Sequence, residues 1–455
     1  MILRRRPAGW RAWLLVCSWV FYGWWNPAYL PLLLVSIGVN HGIGRRLRQQ
    51  EPSIGWLRLG LVFNLGLLGL CKYADLAVTT AGWMVGAAWT GPGWELPLGI
   101  SFFTFQQVAF LVDAWRHQGK QGGLASYALF VSYFPQLVAG PIVHHRDLLP
   151  QLERPRWPMG RDVAVGWTIF VIGLFKKCMI ADTLAPHADA GFALVDAGRS
   201  VPVMVAWGSA LAYSLQLYFD FSGYSDMAIG LARMMGVRLP ANFDAPYRAN
   251  DIAEFWRRWH VTLSSFLRDY LYIPLGGNRQ GQLRQRINLM VTMLLGGLWH
   301  GAGWNFLAWG GLHGAFLVVH RIWRGRGLGL PSGLGRLLTG LIVVLAWVPF
   351  RASTWGGTVA MWTAMVGATP KGLGVIGVTP AVLVLVGMVA TQVLPTTQTW
   401  MAAEQPTIRD ERRDTWAEGI LGFTPTAFVG LAVGALFLMT IPWLERAQSF
   451  LYWQF

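Results

Sequence analysis

The sequence predicts an all-α polytopic membrane protein with about 11 transmembrane helices. Of its 455 residues, 54% are hydrophobic and 13% are charged, whereas roughly 25% of the residues of a soluble protein are charged. Apolar segments recur from residue 11 to residue 445 with no long polar interval between them. We therefore expect one continuous membrane domain over residues 1–455 rather than several soluble domains.

The basic residues lie where a membrane protein would place them. The net charge is +15, but the arginines form short clusters between apolar segments, at 4–6, 45–48 and 279–286. Such clusters mark cytoplasmic loops, so we expect a cytoplasmic N-terminus and no nucleic-acid partner. Contact with anionic lipid head groups or an anionic cofactor stays open. The three cysteines show no paired spacing, which indicates neither a disulfide framework nor a metal site.

The chain is expected to fall into four parts. Residues 11–240 are predicted to form the N-terminal helices, starting with a hairpin that turns at residues 24–27. Residues 241–286 form a cytoplasmic amphipathic segment that contains His260. Residues 287–323 form an apolar block that contains His300. Residues 333–455 supply the C-terminal helices and an aromatic tail.

Some segments do not fit a single span. Residues 202–236 and 287–323 are too long for one crossing, so each is expected to hold two elements, or a span plus a re-entrant piece. Proline and glycine inside the apolar runs at 96–100 and 138–141 predict broken helices around an enclosed chamber. The polar stretch 395–418 is expected to be a solvated loop.

The polar segment after residue 250 has the pattern of an amphipathic helix. Asp251 is a predicted N-cap with Glu254 three residues later, as in a capping box, and Pro274 marks the end. This helix could simply lie in the membrane interface. His260 in its middle, next to Arg257 and other arginines, favours a functional role as well.

Histidine is unusual in the second apolar block. His300 and His313 lie within residues 287–320, which contain no Asp, Glu, Lys or Arg. An ionisable side chain inside a span indicates a functional site, although a hydrogen bond to a neighbouring helix is the alternative. Glycines around Trp299 and His300 would allow close helix packing or the approach of a long substrate. A neutral imidazole can also take a proton from a hydroxyl that attacks a thioester.

Several motifs support a family resemblance. They are FDFSGYSDMA at 219–228, NFDAPY at 242–247, EFWRRWH at 254–260, LYIPLGGNR at 271–279 and LWHG at 298–301. They closely resemble the membrane-bound O-acyltransferase superfamily. The match is to its polysaccharide branch, typified by the alginate O-acetyltransferase membrane subunit and, more distantly, by the teichoic acid D-alanylation membrane protein. Residues 96–106 and 133–142 agree, and the resemblance extends from residue 11 to the C-terminus.

The resemblance implies a site and a reaction. His300 matches the general base at the centre of a tunnel through the membrane, and His260 matches a second polar active-site residue. The implied acyl donor is cytoplasmic acetyl-CoA as a substrate, with no bound cofactor and no metal. The implied acceptor is an exported polysaccharide, alginate or a similar glycan. The expected location is the bacterial inner membrane.

Further residues are candidates for the acyl donor site or the tunnel. They are Arg257, Arg258, Asn278, Trp299, Asp220, Ser222, Tyr224 and Asp226. The carboxylates among them either line the chamber or belong to a buried packing network. Lys176 and Lys177 are expected to snorkel to the interface, with contact to a phosphate as the alternative. His313 and His320 match no active position and are expected to pack or to lie at the interface.

The resemblance also suggests partners. In the teichoic acid system a similar terminal tyrosine on a companion protein is a proposed acyl relay, so Tyr452 is a candidate relay, with an interfacial anchor as the alternative. Besides the lipid bilayer, we expect a periplasmic SGNH-type, esterase-like acetyltransferase and an exopolysaccharide synthesis complex as partners. Related chains usually begin with one more apolar helix before the segment that matches residues 11–25, so a different packing is expected on that flank.

Two alternatives to acetylation of an exported polysaccharide stay open at this point. The first is O-acylation of a cell-wall polymer, a protein or a lipid. The second belongs to a different class, a proton-coupled transporter, because an intramembrane histidine would also suit proton movement. Consumption of the thioester separates an acyltransferase from a transporter.

Overall fold

The structure is a computed structural model that describes residues 7–49, 53–119, 122–138, 140–369, 371–408, 423–424 and 426–451. Within these residues the regular elements are helical and no strand occurs, which confirms the predicted all-α class. The chain divides into two compact units, described separately below. The first comprises residues 1–170, 227–241 and 404–411, and the second comprises residues 171–226, 242–403 and 412–455.

The first unit begins with the predicted hairpin. Helices α1 (Pro7–Trp25) and α2 (Leu30–Leu47) are joined by a turn in which the Asn26 side chain accepts a hydrogen bond of 3.0 Å from the backbone N–H of Ala28. The predicted turn at residues 24–27 is therefore confirmed. The following helices are α3 (Ile54–Met84), α4 (Ile100–Trp115), α5 (Leu124–Ser132), α6 (Phe134–Leu137) and α7 (His145–Glu153).

The later helices include two π-helical turns, which lie at Lys176–Ala181 and Arg268–Tyr272. The residues of α8 and α10 are shared between the two units. The helices are α8 (Gly160–Phe175), α9 (Asp182–Asp196), α10 (Val203–Met234), α11 (Ile252–Arg258), α12 (Val261–Leu267), α13 (Gly281–His300), α14 (Trp304–Gly325), α15 (Ser332–Arg351), α16 (Trp355–Met365), α17 (Val378–Val393), α18 (Thr397–Trp400) and α19 (Ala427–Leu444).

Four of the described helical segments are long and apolar enough to cross a membrane. They are Ile54–Met84, Gly160–Asp196, Ser332–Arg351 and Ala427–Leu444. Large apolar side chains such as Leu65 and Phe428 are exposed on them, as expected for a surface that lipid covers. The total of about 11 crossings stays a prediction.

The two long apolar blocks differ from each other. Residues 287–323 do hold two elements, the helices α13 and α14, as predicted. Residues 202–236 do not, because α10 is one continuous helix of 32 residues. The prediction of a break was wrong there because α10 contains no proline, and its carboxylates Asp220 and Asp226 are satisfied by side-chain partners without interrupting the helix.

Helices α13 and α14 form a close hairpin. A Cβ atom at Gly297 would collide with the carbonyl oxygen of Phe306, and one at Gly310 would collide with the carbonyl oxygen of Met293. These glycines therefore serve helix packing, which was one of the two roles expected for them. The hairpin brings His300, the last residue of α13, to the point where the chain reverses.

Part of the stretch predicted to be a solvated loop is buried. Thr397, at the start of the short helix α18, and Met401 are both buried. The prediction of a loop was therefore wrong for this part, because Thr397 is drawn into the polar contacts of Asp226. Residues 409–422 lie outside the described residues.

Candidate active site

His260 lies at a sharp break between two short helices. Asp251 caps α11 by accepting a hydrogen bond of 2.7 Å from the backbone N–H of Glu254, so the predicted N-cap is confirmed. The prediction of one amphipathic helix through His260 was wrong. His260 has a left-handed φ of +42°, and α12 begins at the next residue. The break turns Trp259 and His260 inward, with exposed fractions of 1% and 0%, while Arg257 stays exposed.

The His260 ring is held by Asn242. Its Nδ1 atom lies 3.0 Å from Asn242 Oδ1. The same oxygen accepts a hydrogen bond of 2.8 Å from the Thr262 hydroxyl and one of 3.4 Å from the Thr262 backbone N–H. Because the Asn242 atom facing the ring is an acceptor, Nδ1 of His260 carries the proton. The other nitrogen, Nε2, therefore has a lone pair, which is the form a hydrogen-bond acceptor or a base needs.

The surroundings keep His260 neutral. The Phe221 ring packs edge to face on the imidazole with a centroid distance of 4.7 Å. Burial, which disfavours the charged form, lowers the pKa of His260 to about 3. His260 is therefore uncharged throughout the physiological pH range.

His300 lies within a cluster of aromatic rings. It is 3% exposed, and the centroids of Trp299, Trp309 and Phe350 lie 4.9, 5.0 and 5.3 Å from its own. The Trp299 indole is also 6.2 Å from the His260 ring. The structure thus places both predicted catalytic histidines next to one indole, although 40 residues of sequence separate them.

The other two histidines of this region have different surroundings. His313 is fully buried, and its Nδ1 accepts a hydrogen bond of 3.3 Å from the Trp256 indole N–H. His320 lies 3.7 Å from Asp251. Neither position contradicts the packing or interface roles expected for them.

The carboxylates of the 219–228 motif form a buried charge network. Asp226 pairs with Lys176 at 2.7 Å and accepts a hydrogen bond of 2.7 Å from the Thr397 hydroxyl. Lys177 lies between Asp220, at 2.8 Å, and Asp182, at 2.6 Å. The prediction that the lysines snorkel was wrong, because buried carboxylates supply their partners. Of the two alternatives for Asp220 and Asp226, the packing network fits their contacts.

The basic candidates are divided between a structural and an exposed position. Arg258 is committed to the protein, since its guanidinium pairs with Glu254 at 3.0 Å and with Asp244 at 3.5 Å. Arg257 and Asn278 are exposed. Arg257 is therefore the better placed of the two arginines to meet an anionic ligand.

The last described residues approach the site. Phe450 and Leu451 are buried, and the Phe450 ring centroid lies 4.7 Å from that of Tyr224 and 5.8 Å from that of Phe221. Ser222 is buried on the same stretch of α10. Tyr452 lies outside the described residues.

Sequence reasoning missed Asn242 as a site residue. Its position at the start of the NFDAPY motif was recognised only as part of the resemblance. A usable signal existed, because a buried histidine in a segment rich in aromatic residues needs a polar partner, and asparagine is among the few neutral side chains nearby that could supply one.

Comparison with known proteins decides the class of protein. Residues 75–326 match the model of the MBOAT, membrane-bound O-acyltransferase family. The chain belongs to this family. The matched residues include His260 and His300, so the resemblance predicted from the motifs is confirmed, and the protein is an O-acyltransferase enzyme that crosses the membrane several times.

Three relatives illustrate what this acyltransferase is similar to. It is 44% identical over 391 residues to a peptidoglycan O-acetyltransferase of Helicobacter pylori, covering 78% of this chain and 74% of that protein. It is 43% identical over 368 residues to the probable alginate O-acetylase AlgI of Azotobacter vinelandii, with coverages of 77% and 72%. It is 31% identical over 247 residues to a teichoic acid D-alanyltransferase of Streptococcus thermophilus, with coverages of 50% and 57%.

Proposed function

We propose that this O-acyltransferase moves acetyl groups from cytoplasmic acetyl-CoA towards an exported polysaccharide, with His300 as the general base. The observation that carries the proposal is that the rings of two buried histidines, His300 and His260, both lie next to the Trp299 indole. The names of relatives that acetylate peptidoglycan or alginate support acetyl as the group transferred. Membership of an acyltransferase family argues against the transporter alternative.

The proposed step is an acyl transfer between a thioester and a hydroxyl. His300 takes the proton of the attacking hydroxyl, and the oxygen forms a bond to the thioester carbonyl carbon. The carbon–sulfur bond then breaks, and the CoA sulfur receives the proton from the imidazolium. The products are an O-acetyl ester and CoA thiol. The surrounding rings of Trp299, Trp309 and Phe350 keep water away from His300, which protects the thioester from hydrolysis.

His260 is proposed to position the reactants. Asn242 fixes its ring orientation and its tautomer, so Nε2 of His260 is the acceptor that would orient a donor group of the substrate. Because His260 stays neutral, it places no positive charge next to the base. His300 can therefore take up a proton without repulsion from its neighbour.

The acyl donor is proposed to reach the site from the cytoplasmic segment that contains Arg257. An exposed guanidinium can form charge-assisted hydrogen bonds with the phosphates of CoA. Arg258 supports this surface indirectly, since its ion pairs with Glu254 and Asp244 hold α11 to the preceding loop.

The acyl group is proposed to leave through the C-terminal tail. Tyr452 follows two buried residues, of which Phe450 contacts the Phe221 ring, and Phe221 in turn contacts His260. In this proposal Tyr452, the next residue in the sequence, accepts the acetyl group on its phenol oxygen. Tyr452 would then pass the acetyl group to a periplasmic, esterase-like acetyltransferase at the bacterial inner membrane.

Transfer of label from acetyl-CoA tests the proposal. Purified protein in liposomes is compared with His300→Ala and with His187→Ala, which changes the same residue type on α9. We expect loss of CoA thiol release in His300→Ala only. Equal release by His300→Ala and the unmodified protein, both folded, would refute His300 as the base.

A second pair of measurements tests the relay and the acceptor. Label retained on the protein and lost in Tyr452→Phe supports a covalent relay, whereas label that moves only to an added acceptor, independent of Tyr452, refutes it. Supplying either alginate or peptidoglycan fragments together with membrane extract then identifies the acceptor. Peptidoglycan is the second candidate because of the named activity of the Helicobacter relative.

A further inference from the structure

The ion cluster around Lys177 has a geometry that a simple buried salt bridge does not need. The Lys177 ammonium binds Oδ1 of Asp182 at 2.6 Å and Oδ1 of Asp220 at 2.8 Å. The three side chains are 9%, 7% and 1% exposed. A single buried lysine requires only one carboxylate to balance its charge, and here Lys177 binds two.

The second oxygen of each carboxylate binds the C-terminal tail. Oδ2 of Asp220 accepts a hydrogen bond of 3.1 Å from the backbone N–H of Leu451, and Oδ2 of Asp182 accepts one of 3.3 Å from the backbone N–H of Gln448. Each aspartate therefore joins Lys177 to the tail through its two oxygens. Hydrogen bonds from a backbone N–H to an ionised carboxylate are stronger than neutral ones.

Apolar contacts complete the attachment. Between the two anchored amides, the Phe450 ring packs on Tyr224 and Phe221 with centroid distances of 4.7 and 5.8 Å. Leu451 is also buried, whereas Gln448 and Ser449 are exposed. Backbone hydrogen bonds and buried side chains thus both hold the tail.

We propose that Lys177, Asp182 and Asp220 form a clamp that docks residues 448–451 beside the Phe221–His260 pair. The clamp recognises backbone amides and so fixes the path of the chain that leads to Tyr452. The part of this inference that concerns an acyl relay through Tyr452 rests on the proposed function. The docking itself does not, and it can be measured without any substrate. The three charged residues are positioning residues for the tail.

The neighbouring lysine provides a matched control. Lys176 lies in the same π-helical turn and pairs with Asp226 at 2.7 Å. The further partners of Asp226 are the side chains of Thr397 and Gln398, on α18 rather than on the tail. Removing the charge of Asp226 therefore perturbs a similar buried pair on the same two helical segments without touching a tail amide.

Accessibility of the tail tests the clamp. The reporter is Leu451→Cys in a background in which Cys17, Cys71 and Cys178 are replaced by alanine, reacted with a hydrophilic maleimide in liposomes. We expect Asp220→Asn and Asp182→Asn to raise the labelling rate about tenfold, because each weakens a charged hydrogen bond to the tail. Asp226→Asn should leave the rate unchanged. Equal rates in the Leu451→Cys reporter with an intact clamp and in both clamp variants would overturn the proposal.

Variants that do not fold call for a second comparison. Gln448→Pro removes the backbone N–H that donates a hydrogen bond to Asp182, whereas Gln448→Ala keeps it. The side chain of residue 448 is exposed, so both variants leave the ion cluster intact. Faster labelling in Gln448→Pro alone supports the clamp, and equal labelling in the two refutes it.

Acetyl transfer by the same preparations separates the two proposals. Clamp-dependent labelling without any transfer refutes only the function, and transfer that depends on His300 with labelling insensitive to the clamp refutes only the clamp.

Discussion

Replacement of Asn242 by leucine should disable the site by releasing His260. Leucine has nearly the same size as asparagine but accepts no hydrogen bond. In Asn242→Leu, the Nδ1–H of buried His260 and the hydroxyl of Thr262 both lose the oxygen that they share, at 3.0 and 2.8 Å. Loss of one intramolecular hydrogen bond costs about 0.5–1.5 kcal/mol. The two together should therefore lower the free energy of unfolding by about 1–3 kcal/mol.

The rate of acetyl transfer should fall as well. Without Asn242 the imidazole can rotate and can exchange its tautomer, and a displacement of about 1 Å in a reacting group can cost roughly 100-fold in rate. Thermal unfolding of the detergent-solubilised protein, followed by the fluorescence of its 26 tryptophans, measures the stability. Release of CoA thiol from acetyl-CoA measures the rate.

Two variants make the test sharp. Gln282→Leu makes the same kind of change on the exposed first turn of α13, and it should alter neither measurement. Asn242→Asp keeps an acceptor opposite Nδ1 but adds a charge, which should raise the pKa of His260 and introduce an acid limb into the rate profile. If Asn242→Leu melts and turns over like the unmodified protein, His260 is not held as described.

Three further outcomes are expected. Because burial lowers the pKa of His260 to about 3, the pH–rate profiles of the unmodified protein and of His260→Gln should have the same shape between pH 5 and 8. The two profiles are compared after each is scaled to its maximum. An acid limb that is present in the unmodified protein and absent from the variant would contradict this. Asp226→Ala should destabilise the protein by about 3–5 kcal/mol in thermal unfolding, because Lys176 is left without its carboxylate, whereas Lys176→Met combined with Asp226→Leu should recover much of the loss. Gly310→Val should prevent the close approach of α13 to α14, since its side chain meets the carbonyl oxygen of Met293, and a variant with unchanged melting would show that the hairpin packs differently.

The sequence was sufficient for those features that depend on composition and on short motifs. The helical hairpin at the N-terminus follows from two apolar runs separated by Asn26 and Pro27. The pair α13 and α14 follows from the length of the block and from its glycines. Both histidines were identified as active-site candidates because the motifs that contain them resemble a known family.

The break at His260 could not be predicted from local sequence. Trp259, His260 and Val261 include neither glycine nor proline, and the apolar side chains continue at helical spacing on both sides. The break exists because it buries Trp259 and His260 together and supplies Asn242 as a partner for the ring. Such a gain is tertiary, and local propensity does not report it.

The buried ion pairs were missed for a related reason. Taken singly, each of Lys176 and Lys177 is predicted to lie at the interface. Each of Asp220 and Asp226, taken singly, fits either of two environments. Inside an apolar surrounding a lysine and an aspartate each require a partner of opposite charge. Two such lysines in one helical segment and two such aspartates in another form a matched set, and that match predicts the contact between the π-helical turn and α10.

The left-handed backbone at His260 leads to a last prediction, in which glycine should be better tolerated than alanine. Both His260→Gly and His260→Ala remove the ring and its bond to Asn242, so their difference isolates the backbone. A residue other than glycine at φ of +42° costs roughly 1–2 kcal/mol, against which glycine loses about 0.5–1 kcal/mol through the greater freedom of the unfolded chain. His260→Gly should therefore be the more stable variant, by about 0.5–1 kcal/mol in thermal unfolding, with both inactive in acetyl transfer. An alanine variant as stable as the glycine variant would mean that residue 260 relaxes out of the left-handed region once the ring is gone, and hence that the imidazole and Asn242 hold the break in place.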